Sequence, residues 1–148
     1  MPLDPSFVGR EYPPTAPYQV GREKIREFAT AIGATDAAHH DPAAARELGH
    51  PDVIAPPTFP VVVTWAATQQ LINDPALGLD FSRVVHGDQR FAYTRPVVAG
   101  DELVCVNTVE QIIARAGNDF ITTRTDVRTV DGEPVATAWA RLVVRGEG

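Results

Sequence analysis

Apolar positions recur with different periods in the two halves of this sequence, which predicts helices first and strands afterwards. From Arg22 onwards, apolar side chains recur at intervals of three and four residues, at Ile25, Phe28, Ala29 and Ile32. This spacing places them on one stripe of an amphipathic helix. Gly33 follows directly and can end the helix in a left-handed conformation. We therefore expect a helix with one buried stripe over residues 22–32.

A second, shorter helix is predicted a few residues further on. Asp41 can cap its first turn, Pro42 suits its first position, and Gly49 marks its end. The adjacent histidines His39 and His40 therefore lie in the connection between two helices. Taken alone, such a pair indicates a solvated loop that leads into the cap.

A third helix of about 15 residues is predicted between Thr58, which can cap it, and Pro75, which stops it. Pro60 falls in its first turn, where backbone N–H groups have no acceptor within the helix, so proline is tolerated there. Its first half is apolar on every side, with Phe59, Val61, Val62, Val63, Trp65, Ala66 and Ala67. A helix that is apolar all round is buried on all sides, so we expect it at the centre of the fold. The valine run keeps a strand open as the alternative for residues 59–64.

Four long runs rich in valine, isoleucine, threonine and aromatic residues follow, at residues 81–97, 101–116, 119–130 and 133–145. Turn sequences that contain glycine separate them, at residues 99–101, 117–118 and 131–133. We therefore predict an antiparallel meander of four strands. Helices followed by strands indicate an α+β fold. A long antiparallel sheet beside an all-apolar helix predicts the hot-dog architecture, in which the sheet wraps around a long buried central helix.

Composition and charge limit the remaining possibilities. Five prolines make the N-terminal arm, residues 1–21, extended or turn-like, with a short edge strand at residues 18–20. The length of 148 residues indicates one domain, residues 1–148. A net charge of −6 disfavours nucleic acid and anionic membranes as partners. With no signal segment and no apolar run that could span a membrane, we expect a cytoplasmic protein. The single cysteine, Cys105, is expected to be buried.

Three motifs together resemble the MaoC-like hydratase/dehydratase family: AIGATDAAHHDPAAA, then VIAPPTF at the start of the third helix, then RFAYTRPVVAGDEL. FVGREY, REKIREFATAIG, ELGHPDVIAPPTF and PVVAGDEL are most similar to the actinobacterial HadA-type subunits of (3R)-hydroxyacyl-ACP dehydratase. The resemblance covers nearly the whole chain. It implies a hot-dog protein that adds or removes water across the α,β bond of acyl-CoA or acyl-carrier-protein thioesters.

The family's catalytic motif, G-D-x-N-P-x-H-x-D-P, maps onto residues 33–42. The resemblance places His39 on the catalytic histidine, but the catalytic aspartate falls on Ala34. Dehydration needs a base for the α-proton and an acid for the departing hydroxyl, both within reach of one substrate. Asp36, at the asparagine position, is the candidate replacement. It lies three residues from His39 instead of five, which displaces it by far more than catalytic geometry tolerates.

A second part of the family's catalytic machinery is also changed. The resemblance implies a glycine N–H before the buried helix that polarises the thioester carbonyl, and Pro57, which has no N–H, occupies that position. Thr58 N–H remains as a donor at the helix start. The other candidate substrate-binding residues are Phe59 and Val63 on the buried helix, and His86 with Gly87 in the first long strand. A glycine within a strand indicates a bulge or a close backbone approach.

These changes predict a non-catalytic, acyl-chain-binding subunit of a heteromeric (3R)-hydroxyacyl-thioester dehydratase, or enoyl hydratase, in fatty-acid elongation. The expected partner is a MaoC-like catalytic subunit whose sheet this chain continues. One alternative is a homodimeric enoyl-thioester hydratase that uses His39 with Asp36 or His86. Another is an acyl-thioester binding module without catalysis. A thioesterase is disfavoured because the third helix carries no carboxylate. No residue spacing indicates a metal site, and we predict no cofactor.

Overall fold

The computed structural model describes residues 2–146, with helices in the first half of the chain and long strands in the second. The α-helices in this range are α1 (Arg22–Ala31), α2 (Pro42–Glu47) and α3 (Pro60–Ile72). The strands are β1 (Tyr18–Gln19), β2 (Val84–Tyr93), β3 (Glu102–Arg115), β4 (Asn118–Thr129) and β5 (Pro134–Val144). The prediction from apolar periodicity, helices first and strands afterwards, is therefore confirmed.

The first two helices form where the sequence predicts them. In α1, Ile25 and Ala29 are completely buried, whereas Ile32 is 50% exposed. The prediction that Ile32 belongs to the buried stripe is wrong, because α1 ends at the residue before it and Gly33 turns the chain at a φ of 73°. In α2 the Asp41 carboxylate accepts from the backbone N–H two residues later at 3.0 Å, which confirms the predicted cap.

The third helix, α3, has 13 residues, so the strand alternative for residues 59–64 is wrong. The prediction of Thr58 as its cap is also wrong, because Phe59 already has helical backbone angles and no side chain caps the first turn. The expectation of burial on all sides is wrong as well. Val61 is 38% exposed and Trp65 is 48% exposed, because the curled sheet leaves this side of the helix uncovered.

The five strands form one antiparallel sheet in the order β1-β3-β4-β5-β2. Tight turns join β3 to β4 and β4 to β5, which confirms the hairpins predicted at residues 117–118 and 131–133. The predicted four-strand meander is wrong at its first step, because β2 pairs with β5 rather than with β3. Residues 99–101 therefore belong to a connection that crosses the sheet. The residue pattern identifies strands, but it does not determine which strands lie side by side.

The N-terminal arm runs along the edge of β3 and covers it. Backbone N–H groups of Gly9, Tyr12 and Thr15 donate to carbonyl oxygens of β3 at 2.8, 2.9 and 3.0 Å. The arm is extended as predicted apart from one 3₁₀ turn at Pro5–Phe7, and the predicted edge strand is confirmed as β1. Within residues 2–146, the outer edge of β2 at the opposite side of the sheet pairs with no other strand.

The inner face of the sheet packs around α3 to form the core. Phe59 is completely buried and meets Phe28 of α1 edge to face, with ring centroids 5.5 Å apart. Cys105 is completely buried as predicted, and burial raises the pKa of its thiol to about 12. An antiparallel sheet curled around one helix is the hot-dog architecture, so the predicted α+β hot-dog fold is confirmed.

Candidate functional site

His39 lies at the end of a short 3₁₀ turn, Ala37–His39, and one of its ring nitrogens is anchored. Nδ1 lies 2.7 Å from the carbonyl oxygen of Ile54. A carbonyl oxygen can only accept, so Nδ1 carries a proton and donates it. In the neutral ring, Nε2 is then an unprotonated acceptor. His39 therefore has the tautomer that a general base requires.

The neighbouring polar groups stabilise the local fold of this connection. His40 Nε2 donates to the carbonyl oxygen of Ala34 at 2.8 Å. The Asp36 carboxylate accepts from the backbone N–H of Ala38 at 3.0 Å and caps the 3₁₀ turn. Ala34 has only a methyl side chain at the position of the family's catalytic aspartate. The Asp36 carboxylate is thus engaged in a local cap, and its role as an acid or base stays a prediction.

An open cleft of about 420 Å³ brings together two of the predicted site residues, His39 and Pro57. Its wall also contains Tyr93 and Arg95, which the apolar pattern of the sequence does not single out. No carboxylate lines this cleft within residues 2–146. The cleft therefore offers one imidazole and several hydrogen-bonding groups, but no acidic side chain to complete an acid–base pair.

Tyr93 supplies the hydroxyl group of the cleft. Its O–H donates to the carbonyl oxygen of Pro57. Burial raises the pKa of Tyr93 to about 12, so the hydroxyl stays protonated at neutral pH. At the position where the resemblance implies an N–H donor, Pro57 thus contributes only a carbonyl group that is already engaged.

Arg95 brings a positive charge to the cleft, and two carboxylates balance it. Its guanidinium binds Asp101 through hydrogen bonds of 2.9 and 3.0 Å, and Glu133 through one of 2.7 Å. The bonds to Asp101 are the main cause that raises the pKa of Arg95 above its usual value. Two parallel bonds to one carboxylate also fix the orientation of the guanidinium. The motif TRPVVAGDEL contains Arg95 and Asp101 and is the sequence signal that points to this pair.

Five of the six predicted substrate-binding residues lie outside the wall of the cleft, and three of these five are at the start of α3. Phe59 is 0% exposed and Val63 is 4% exposed in the core around α3. Thr58 is exposed beside Pro57, but it does not line the cleft. Their roles in substrate binding stay predictions.

A second cavity, of about 150 Å³, lies between α3, β2 and β5, and His86 lines it together with Trp65. His86 Nε2 lies 3.0 Å from the side-chain oxygen of Gln89. The predicted bulge at Gly87 is confirmed, because the β2–β5 register shifts there. A Cβ atom at Gly87 would lie 3.1 Å from a methyl group of Val143, so the close approach favours glycine. His86 and His39 therefore line different cavities.

The sequence pattern of the FAS1-like dehydratase domain region matches residues 6–138. The chain belongs to this family. The chain is 60% identical over 146 residues to a UPF0336 protein of Saccharopolyspora erythraea. That match covers 99% of this chain and 94% of the relative.

The fold of the chain is similar to the folds of solved dehydratases. For the C-terminally truncated HadBC (3R-hydroxyacyl-ACP dehydratase) complex from Mycobacterium tuberculosis, the TM-score is 0.82 with 32% identity. The similarity covers 93% of this chain and 96% of that one. A MaoC-like dehydratase has a TM-score of 0.87 and 33% identity over 95% of this chain, which spans 43% of that longer protein. The resemblance to MaoC-like dehydratases is thereby confirmed.

Two structural findings concern metals and membranes. Within residues 2–146, no group of three or more histidine, cysteine, aspartate or glutamate side chains is arranged to hold a metal ion. No helix in this part of the chain has both the length and the hydropathy needed to cross a membrane.

Proposed function

We propose that this chain is the non-catalytic, acyl-chain-binding subunit of a heteromeric (3R)-hydroxyacyl-thioester dehydratase, or enoyl hydratase, that acts in fatty-acid elongation in the cytoplasm. Its partner is a MaoC-like subunit that contributes the complete acid–base pair. The substrate is an acyl thioester of carrier protein or CoA. The observation that carries the proposal is a cleft in which His39 has no carboxylate beside it within residues 2–146.

The chemistry of dehydration explains why the missing carboxylate matters. Removal of the α-proton and protonation of the departing hydroxyl need two groups within hydrogen-bond reach of one substrate. Ala34 replaces one of these groups with a methyl, and Pro57 removes an N–H that would polarise the carbonyl. Loss of one such donor alone typically lowers the rate about 10²- to 10³-fold. Two independent losses in one chain support a subunit that acts through a partner.

An uncovered apolar surface supports the existence of that partner. Nine large hydrophobic side chains are exposed in residues 2–146, and five of them lie on α3, on β2 or just before β2. Three of them are called the β2 patch: Val61, Trp65 and Phe81. Val61 and Trp65 line one cavity, and the ring centroids of Trp65 and Phe81 are 6.5 Å apart. The patch adjoins the unpaired edge of β2, whereas the arm covers the edge of β3. An open edge beside an apolar patch favours extension of the sheet by a second subunit.

A homodimeric enoyl-thioester hydratase is the second candidate, and the tautomer of His39 favours it. With Nδ1 bonded to Ile54, Nε2 can accept a proton from a substrate. Tyr93 supplies a hydroxyl donor in the same cleft. In this case the chain would turn over substrate without any partner.

Hydration of a trans-2-enoyl thioester, followed through the loss of conjugated absorbance, tests the proposal. The assay compares this chain alone, a MaoC-like partner alone and the co-purified pair. We expect no turnover by the chain alone, and a rate for the pair that exceeds the rate of the partner by roughly tenfold or more.

Substitution of His39 separates the candidates. If the chain is non-catalytic, His39→Ala should leave the rate of the pair almost unchanged, as should the control His50→Ala outside the cleft. Turnover by the chain alone that His39→Ala abolishes would instead establish the homodimeric hydratase. Thioester binding without any gain in the turnover of the pair would support only an acyl-thioester binding module.

A further inference from the structure

A cavity of about 530 Å³ lies at the start of β2, whereas the cleft that contains His39 lies at the end of that strand. Its wall is built from the N-terminal arm, the segment between α3 and β2, the turn between β3 and β4, and the end of β5. The cavity and the cleft share no lining residue. The volume is within the range of about 300–1,000 Å³ that is typical of small-molecule sites. The cavity therefore has room for a ligand that the proposed function does not use.

Asp119, the second residue of β4, places a carboxylate in the wall of this cavity. Asp119 is only 8% exposed, and its carboxylate accepts one hydrogen bond, from the backbone N–H of Leu3 at 3.1 Å. Within residues 2–146 it forms no ion pair. A carboxylate can accept about four hydrogen bonds, and a buried carboxylate without a cation is unfavourable. A cationic group inside the cavity would remove this cost.

Arg145, just after β5, lines the same cavity with a positive charge. Its Nε atom donates to the carbonyl oxygen of Arg83 at 3.3 Å. Its two terminal nitrogens make no hydrogen bond or ion pair to any residue in the range 2–146. The other two charged side chains of the wall balance each other, because Arg83 binds Asp80 at 3.5 Å. The cavity thus presents one negative and one positive group that the described part of the chain does not pair.

Two opposite charges on one wall limit the kind of ligand that fits. An anion without a positive group would face the buried carboxylate of Asp119, and a cation without a negative group would face Arg145. A molecule with both an ammonium and a carboxylate group can form a charge-assisted hydrogen bond to each. Leu3 and Val144 contribute apolar side chains to the same wall, which suits an apolar body between or beside the two charges.

We propose that this cavity binds a zwitterionic molecule, a free amino acid or a short peptide with an apolar side chain. Its ammonium group contacts Asp119 and its carboxylate group contacts Arg145. The assignment is independent of the function proposed above, because no residue of the cleft around His39 takes part in it.

Isothermal titration calorimetry with four matched probes tests the two contacts. L-Phenylalanine carries both charges, phenethylamine lacks the carboxylate, and hydrocinnamate lacks the ammonium group. The dipeptide L-alanyl-L-phenylalanine carries both charges farther apart and distinguishes a peptide ligand from a free amino acid. We expect the tighter-binding of the two zwitterions to exceed each singly charged analogue in affinity by roughly tenfold, which corresponds to one charge-assisted hydrogen bond.

Asp119→Asn tests the contact with the ammonium group. The variant removes the charge and keeps an oxygen that can accept from the N–H of Leu3, so the arm stays attached. It should weaken the binding of the zwitterion roughly tenfold and should not weaken the binding of hydrocinnamate. The matched control Asp88→Asn removes the same charge from an exposed position of β2 outside the cavity, and it should leave both affinities unchanged.

Arg145→Gln tests the contact with the carboxylate group in the same way. It should weaken the binding of the zwitterion roughly tenfold and should not weaken the binding of phenethylamine. The control Arg115→Gln removes the same charge from the exposed end of β3, outside the cavity. Circular dichroism and the melting temperature check that each variant is folded.

Failure of both zwitterions to bind at millimolar concentration would overturn the assignment. Singly charged analogues that bind as tightly as the zwitterions would overturn it as well. The same holds for affinities that Asp119→Asn and Arg145→Gln lower no more than their controls do. Tighter binding of L-phenylalanine would identify a free amino acid as the ligand class, and tighter binding of the dipeptide would identify a peptide.

Discussion

Arg95 joins three segments of the chain beside the His39 cleft. Its guanidinium binds Asp101, just before β3, and Glu133, in the turn between β4 and β5. The Asp101 carboxylate also accepts from the backbone N–H of Val98 at 2.9 Å. Side-chain exposure is 26% for Arg95 and 14% for Asp101. A partly buried bidentate pair of this kind stabilises a fold more than a solvent-exposed ion pair does.

Arg95→Gln should lower the free energy of unfolding by about 1–3 kcal/mol, because the Asp101 carboxylate stays partly buried and loses two charged hydrogen bonds. Urea unfolding followed by circular dichroism measures the change. The control is Lys24→Gln, which breaks an exposed ion pair with Glu27 on α1 and should lower the free energy of unfolding much less than Arg95→Gln does. Equal losses in the two variants would contradict a special contribution from Arg95.

The N-terminal arm is tied to the turn after α3 as well as to the edge of β3. Tyr12 donates its hydroxyl to Asp74 at 2.8 Å, and Arg10 binds the same carboxylate at 3.4 Å. The Tyr12 hydroxyl is the main group that holds the pKa of Asp74 below its usual value of 3.8, helped by the backbone N–H of Ala76 and by Arg10. One carboxylate thus links an arm with little regular structure to the central helix.

Asp74→Asn should destabilise the protein by about 1 kcal/mol at neutral pH, because the tether loses a charge-assisted hydrogen bond. An acid whose pKa is lower in the folded state stabilises the fold above its unfolded pKa. That contribution is lost as the pH falls through the folded pKa. The difference in unfolding free energy between wild type and Asp74→Asn should therefore be constant near neutral pH and shrink below pH 3.8. Urea unfolding over a pH series measures this difference.

Tyr12→Phe provides the matched background for this experiment. If Tyr12 and Asp74 act as a pair, Asp74→Asn should cost less in the Tyr12→Phe protein than in wild type. An undiminished cost, or a difference that persists well below pH 3.8, would contradict the tether.

The two outer edges of the sheet differ in whether another segment of the chain pairs with them. The proline-rich arm bonds to the edge of β3, whereas the edge of β2 is open and borders the β2 patch. Trp65 and Phe81 of this patch lie with ring centroids 6.5 Å apart. Open edges with apolar neighbours promote pairing with other chains. We therefore expect assembly, with a partner or with a second copy, to proceed through β2.

Val85→Lys should weaken this assembly by roughly tenfold or more, because a lysine on an edge strand opposes strand pairing and places a charge in the contact. Sedimentation over a concentration series measures the association of the chain with itself, and co-purification measures its association with a MaoC-like partner. The control is Val130→Lys, since Val130 is 47% exposed, close to the 43% of Val85, but lies in the turn between β4 and β5. A comparable loss in both variants, or none in Val85→Lys, would place the interface elsewhere.

The sequence by itself determined the local features of this protein, because these depend on residue type and spacing. Periodicity located the three helices and the long strands, and Asp41 and Gly87 marked a cap and a bulge that the structure confirms. Ala34 and Pro57 stand out from the sequence as well, since the absence of a carboxylate or an N–H follows from residue identity alone. The hot-dog fold could be predicted because an antiparallel sheet must cover an apolar helix.

Only the tertiary structure decided which distant groups meet. It paired β2 with β5, although hairpin turns alone favour a simple meander, and it left Trp65 exposed on a helix whose composition indicated complete burial. It also set Tyr93 against Pro57 and placed Asp119 and Arg145 in the wall of one cavity. These contacts join residues far apart in the chain, so they depend on how the sheet curls and on which side of α3 it covers. Neither property is encoded in the period of any single segment.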